Sequence, residues 1–175
     1  TGIEEDTLHV TIFSFNEKLQ EARLAWVKEG DFELAHQLYN ELFQLHPHES
    51  LAWHQYAIMH EEQQNWKEAL VARETVIKLQ PNESASYLNT SYLLTVIDSK
   101  QAVELAKIAL ELSKKDEYGN VQFAQKWLDD ITTFHQLKIE GKSMDAYNFI
   151  IRSEQLAYSP SFIEELISQK QHISN

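Results

Sequence analysis

The sequence predicts an all-α fold in which antiparallel helix pairs repeat along the chain. Pro47 and Pro81 lie 34 residues apart, and the residue types around them recur at the same offset. The 175 residues are 43% apolar but include only 4 Gly and 3 Pro, which suits one helix-dominated domain spanning residues 1–175. A fixed period of this length is the signature of a repeat architecture. The matched positions are Leu19 with Trp53, Phe32 with Trp66, Ala35 with Ala69, Leu42 with Val76, and Leu45 with Leu79.

Each repeat is predicted to contain a first helix, a short turn and a second helix. In the clearest copy, Trp53, Tyr56 and Ala57 give the first helix its apolar face. Ala35 and Ala69 fall where two helices approach most closely, since a bulkier side chain would force apart axes that pack at about 8 to 10 Å. The two helices of a unit are therefore expected to lie antiparallel and in contact.

The ends of the second helices carry local signals. Asp31 and Asn65 are N-cap candidates, because their side-chain oxygens can accept a hydrogen bond from the N–H groups of a first turn. Pro47 and Pro81 are predicted to end the second helices, because proline has no N–H to donate. The same signals in both copies support the period of 34 residues.

Two adjacent units share a longer set of residues at fixed positions. Unit one, residues 16–49, has Leu19, Ala22, Gly30, Phe32, Ala35, Tyr39 and Pro47. Unit two, residues 50–83, has Trp53, Tyr56, Ala57, Trp66, Ala69 and Pro81. In these residues the units resemble tetratricopeptide repeats. Positions that depart from the pattern of that family are Arg23, Leu42, Gln64, Arg73 and Val76. The resemblance implies a right-handed α-solenoid of antiparallel helix pairs.

A third unit is expected over residues 84–116. Ala102 follows Ala69 by 33 residues rather than 34, which predicts the loss of one residue from the turn around residues 97–100. The apolar residues after Ala102 continue at helical spacing.

A degenerate fourth pair is expected over residues 119–158. Its first helix looks several residues longer than those before it, Gly141 breaks the pattern, and the second helix is predicted over residues 144–157. Ser161 opens a capping-box pattern, so residues 160–173 are predicted to form a final helix that caps the stack.

The N-terminal stretch is compatible with two readings. Leu8, Val10 and Ile12 alternate as in a strand, whereas Leu8, Ile12 and Phe15 follow helical spacing. We expect a helix, because a lone strand would have no partner, and Ser14 is a capping-box candidate. The chain begins without Met, as expected of a processed or trimmed piece of a longer protein.

Charge and composition exclude several classes of function. The chain has 15 basic and 27 acidic residues and a formal charge of −12, so it lacks the basic stripe that nucleic-acid binding requires. Its acid pairs fit a solvated outer face or, alternatively, a docking patch for basic partners. No segment approaches the roughly 18 consecutive apolar residues of a membrane-spanning helix. The absence of Cys fits cytosol and periplasm equally well, so localisation stays open.

Function is expected on the inner face formed by the first helices of a stack. Leu24, Ile58 and Tyr92 stand at equivalent positions and predict an apolar ladder across three units. The flanking residues are Gln20, His54 and Leu88 one turn earlier, and Val27, Glu61 and Thr95 roughly one turn later.

This predicted inner face should favour an extended or helical protein segment with hydrophobic anchors and a basic residue, which Glu61 and His54 would accommodate. Tyr92 would add an aromatic contact and a hydroxyl. An equally weighted alternative is that Leu24 and Ile58 complete packing between neighbouring first helices. Family members that bind the acidic C-termini of heat-shock proteins use basic side chains on this face. No basic pair is present here, which argues against a chaperone-tail adaptor.

Catalytic and metal sites are not expected, and no cofactor is implied. The one His cluster, from His46 to His60, does not have the spacing of converging metal ligands. No glycine-rich loop that could hold phosphate is present. The sequence therefore favours a scaffold or adaptor that binds a partner protein. The alternative is homodimerisation, or an assembly module of a larger protein with partner contacts on terminal or convex faces.

Overall fold

The computed structural model describes residues 2–117 and 119–153, with side chains described from Ser14 onward. These residues form helices and connecting turns, and no strand occurs among them. The all-α prediction is therefore confirmed for the described part of the chain. The helices are α1 (Gly2–Val27), α2 (Phe32–Leu45), α3 (Ser50–Glu62), α4 (Trp66–Leu79), α5 (Ser84–Ile97), α6 (Ser99–Ser113), α7 (Val121–Ile139) and α8 (Ser143–Ile150).

The helices fall into two compact units, divided between Leu79 and Gln80. In the first unit α1 packs on α2, α2 on α3, and α3 on α4. In the second unit α5 packs on α6, α6 on α7, and α7 on α8. Packing between helices that follow one another in the chain is consistent with a helical repeat, whereas the right-handed solenoid stays a prediction.

A left-handed residue precedes the second helix of three pairs. Gly30, Gln64 and Gly141 have φ of 68°, 60° and 74°. At two of these turns the next N–H reaches back five residues, from Asn65 to His60 O (2.8 Å) and from Lys142 to Leu137 O (2.9 Å). This is the bond of a helix C-cap that turns the chain sharply. The turns around Gly30 and Gln64 therefore recur in three dimensions at the predicted period.

The third turn is shorter, as the spacing of its alanines predicts. Only Asp98 separates α5 from α6, whereas three residues separate α3 from α4. Asp98 keeps the role of Asp31, because the side chain of each accepts an N–H of the following helix, Gln101 and Leu34 respectively, at 3.0 Å. The residue lost is accordingly the left-handed one that precedes the cap.

Proline ends the second helices as predicted. Pro47 and Pro81 each lie two residues beyond the last residue of α2 and α4. Their carbonyl groups accept equivalent side-chain bonds, from Trp53 Nε1 (3.2 Å) and from the Tyr87 hydroxyl (3.0 Å). These two bonds lie one repeat apart and tie the start of each following helix to the turn before it.

The N-cap prediction holds differently at the two sites. Asp31 caps α2 with its side chain. Asn65 stands directly before α4 and accepts the N–H of Ala69 with its backbone carbonyl (3.0 Å), while its side-chain amide donates to Gln63 Oε1 (3.1 Å).

Two predictions near the chain ends need correction. The helix expected at the N-terminus is confirmed, but α1 begins at Gly2, so Ser14 lies inside the helix and cannot cap it. The second helix of the fourth pair ends at Ile150 rather than at residue 157. It ends there because Arg152 and Ser153 donate to carbonyls three residues back, which closes a turn. The capping helix predicted over residues 160–173 lies outside the described residues.

The core of the first unit lies where α1 to α4 face one another. Small residues allow the close approach, since Ala22, Ala35, Ala57 and Ala69 are fully buried. The larger side chains that fill the core include Leu19, Trp26, Leu38, Tyr39, Leu42, Tyr56 and Met59. The burial of Ala35 and Ala69 confirms the role that the sequence assigns them.

The core of the second unit is built around α5, α6 and α7. Trp127 is fully buried, and its Nε1 donates to Ser91 Oγ on α5 (2.9 Å). Leu93, Leu94, Ile131 and Phe134 complete the apolar contacts. At 19 residues α7 is longer than α3 or α5, as predicted for the fourth pair.

Candidate protein-binding groove

One side of α1 stays exposed although the helix packs on α2. Leu19, Ala22 and Trp26 are buried, so the face they share is the packed face. Leu24 is 40% exposed and Val27 is 55% exposed, and both therefore lie away from the core. Together with the exposed Gln20, these are three of the residues that the sequence places on the inner face.

An open groove of about 680 Å³ runs along this exposed side of α1 to the start of α2. We call it the α1 groove. Gln20 and Leu24 were predicted to face a partner, whereas Glu29 and Leu34 were not, because they belong to the turn and to the second helix. The lining residues are Asn16, Glu17, Gln20, Glu21, Leu24, Ala25, Glu29 and Leu34.

The floor of the α1 groove is apolar and its rim is polar. Leu24, Ala25 and Leu34 supply the apolar surface, with Ala25 buried and both leucines partly open to solvent. Asn16 and Gln20 supply amide groups that can donate and accept hydrogen bonds. Apolar surface with a few polar groups is the usual composition of a binding site.

The second predicted rung is joined to a buried charge network. Glu61 accepts two bonds from Arg73 on α4, Nε to Oε1 at 2.8 Å and Nη2 to Oε2 at 3.0 Å. Both side chains are less than 9% exposed. Glu61 is therefore held by the protein itself, which corrects the expectation that it would accommodate a basic residue of the partner.

His54 belongs to the same network. Its Nδ1 lies 3.0 Å from Nη1 of Arg73. Because a guanidinium can only donate, Nδ1 must accept, so the proton of the neutral ring is on Nε2. Ile58 is half-buried and packs against the core of the first unit, in agreement with the packing alternative for this residue.

The predicted residues of the second unit are largely core. Tyr92 is 3% exposed, and its ring meets Trp127 edge-on with centroids 4.5 Å apart. Burial raises the pKa of Tyr92 well above its usual value. Thr95 is fully buried and donates to Ser91 O (3.3 Å). The structure therefore places Tyr92 and Thr95 in the core rather than on an open face, while Leu88 is half-buried.

Neither a protein-family model nor a curated protein matches this sequence. The resemblance to tetratricopeptide repeats consequently rests on the repeated residues, on the order of the helices and on the recurring turns.

Two further kinds of site were searched for in the same residues. Within the ranges that the structure describes, no three His, Asp or Glu side chains converge in a way that could hold a metal ion. In those ranges, too, no helix combines the length and apolarity needed to cross a membrane.

A cluster of titratable groups lies beside the core of the first unit. His60 on α3 is 5% exposed and contacts the ring of Tyr56 at 4.3 Å between centroids. His36 on α2 accepts or donates at 2.9 Å to the Tyr56 hydroxyl and lies 5.9 Å from the His60 ring. Nε2 of His60 has no hydrogen-bond partner among the described residues. Protonating His60 would thus place an unsolvated charge beside another imidazole.

The stability of the first unit is expected to fall as pH drops below about 6.5. Burial, and then the charge of His36, lower the pKa of His60 in the folded chain, against a smaller opposite effect of Glu68. The unfolded chain therefore binds more protons than the folded chain between the two pKa values, and folding loses stability across that window as pH falls. Above the unfolded pKa the contribution is complete.

Urea unfolding between pH 7.5 and pH 5 measures this effect, with His60→Gln as the matched variant. The variant should unfold at a urea concentration that depends less on pH than that of the wild type. Equal pH dependence of the two proteins would show that His60 does not contribute.

Proposed function

We propose that this chain is a protein-interaction module that binds a segment of a partner protein in the α1 groove. The observation that carries the proposal is an open groove, with an apolar floor, on the face of α1 that the repeat pattern assigns to binding. The finer architecture, a right-handed solenoid of tetratricopeptide-type units, is part of the same proposal.

The shape and chemistry of the groove support a polypeptide ligand. A groove along a helix can receive a second helix or an extended segment, with apolar side chains as anchors. Leu24 and Leu34 provide surface for such an anchor, and Gln20 and Asn16 can bond to polar groups beside it. The packed face of α1 holds this surface rigid, which lowers the entropic cost of binding.

Replacing Leu24 with Glu should weaken partner binding by roughly 10-fold to 100-fold, since burying a leucine side chain contributes about 1.5 to 3 kcal/mol. The fold should persist, because Leu24 is 40% exposed in the free protein. A photoreactive amino acid at position 20 can capture the partner in native extract, and the captured segment can be sequenced by mass spectrometry.

Leu45→Glu is the matched control, because Leu45 is 64% exposed and does not line the groove. Capture that is lost with Leu24→Glu and kept with Leu45→Glu supports the proposal. A partner retained by both variants would move binding to another face and refute the α1 groove as the site. Circular dichroism of each variant verifies that the helices are intact.

A further inference from the structure

The rim of the α1 groove carries negative charge only. Glu17, Glu21 and Glu29 line the groove, and no basic residue is among its lining residues. Within the described residues, none of these three carboxylates forms an ion pair at 4 Å or less, unlike Lys18 and Glu41, which pair at 2.6 Å. The groove thus has an apolar floor beneath three uncompensated carboxylates.

The cations of this part of the chain are directed elsewhere. Lys18 reaches from α1 to Glu41 on α2, on the packed side of the helix. Arg23 and Lys28 are exposed but do not line the groove. Since α1 has both signs of charge and places only one in the groove, a ligand would meet a negative field there.

The spacing of two of the carboxylates adds a second argument. Glu17 and Glu21 are four residues apart on α1, so they lie one turn above the other on the same side. Like charges at this spacing oppose helix formation. A cation bound between them would remove this repulsion, whereas an acidic or neutral ligand would leave it in place.

The rest of this chain is poorly suited to fill the groove. Residues 154–175 contain three Glu and one Lys, and the whole chain has a formal charge of −12. Both the C-terminal segment and a second copy would therefore bring further negative charge to the three carboxylates. The complementary occupant is a positively charged segment of a different protein.

We propose that the partner segment is cationic, with Lys or Arg side chains flanking one apolar anchor. This inference rests on the proposed function, because it specifies the ligand of the same groove. The anchor contacts Leu24 and Leu34, while the cations pair with Glu17, Glu21 and Glu29. Opposite charge also steers the encounter, so association should be faster at low salt.

Three fluorescent peptides can test this with the full chain. They share length, one central leucine and helix propensity, and they differ only in flanking residues, which are Lys, Gln or Glu. By fluorescence anisotropy at low salt, the Lys peptide should bind at least about 10-fold more tightly than the Gln peptide, and the Glu peptide should bind least. The preference should shrink as NaCl is added, because salt screens exposed charges.

Two triple variants with the same change in net charge separate groove binding from general attraction. Glu17→Gln/Glu21→Gln/Glu29→Gln should abolish the preference for the Lys peptide. The control replaces Glu62, Glu104 and Glu117 with Gln, three exposed residues outside the groove lining, and should keep the preference. Equal loss in both triple variants would show a non-specific attraction and overturn the proposal.

The remaining outcomes distinguish this proposal from the proposed function. If all three peptides bind equally and Leu24→Glu abolishes the binding, the cationic preference is wrong but the groove is a binding site. If none binds, the cationic proposal fails, and the capture experiment at position 20 decides separately whether the groove binds protein. A crosslink from position 20 to this chain's own sequence would assign the groove to its terminal segment or to a second copy, and would overturn the proposal.

Discussion

Replacing Arg73 with methionine is expected to destabilise the first unit by about 3 to 5 kcal/mol. The change leaves Glu61 buried without its bidentate partner, and removing one partner of a buried ion pair typically has a cost of this size. His54 loses its donor as well. Because whole domains are stable by only about 5 to 15 kcal/mol, much of the first unit should be unfolded at physiological temperature. Urea unfolding followed by circular dichroism measures the change.

Two variants identify the cause of this loss. Arg73→Lys keeps the charge but removes the two parallel bonds to Glu61, so its effect should be smaller than that of Arg73→Met. Replacing Glu61 and Arg73 together with leucine should restore most of the stability, because an apolar pair leaves no unpaired charge. A loss of less than 1 kcal/mol for Arg73→Met would contradict a buried, stabilising pair.

Replacing Trp127 with alanine should destabilise the second unit by about 3 to 5 kcal/mol, the usual cost of removing a large buried aromatic side chain. The indole is fully buried between α7 and α5, where it contacts Tyr92 and donates to Ser91. The change creates a large cavity that neighbouring side chains fill only in part. Near-ultraviolet circular dichroism and thermal unfolding report the loss.

Trp127→Phe is the control for the hydrogen bond. It keeps most of the aromatic volume but removes the N–H that reaches Ser91 Oγ, so the expected loss is about 1 kcal/mol. If Trp127→Phe were as damaging as Trp127→Ala, the hydrogen bond rather than the packing would dominate at this position.

Local signals in the sequence predicted most of the helices and turns. Asp31, Pro47 and Pro81 act through bonds that the adjacent backbone gains or lacks, so their effect is the same in any helical context. The spacing of Ala69 and Ala102 also predicted the shortened third turn. The error at Ser14 has a similar local origin, since a capping box inside a longer helix looks the same in the sequence as one at its start.

Only part of the predicted binding face could be obtained in this way. Gln20 and Leu24 do line a groove, but its rim includes Glu29 and Leu34 from outside the first helix. The sequence gives the direction of a side chain on its own helix. It does not give the position of a neighbouring turn, which depends on how α1 and α2 pack.

The sequence by itself determined the helical pairs, their ends and the small residues at their contacts, because these depend on bonds and steric limits within a few residues. Only the tertiary structure decided which polar and aromatic side chains of the repeat frame stay accessible. Glu61 is neutralised by Arg73 from the next helix, and Tyr92 is covered by Trp127 from α7, 35 residues further along the chain. Exposure is set by such distant partners, and their charge and volume do not follow the 34-residue period.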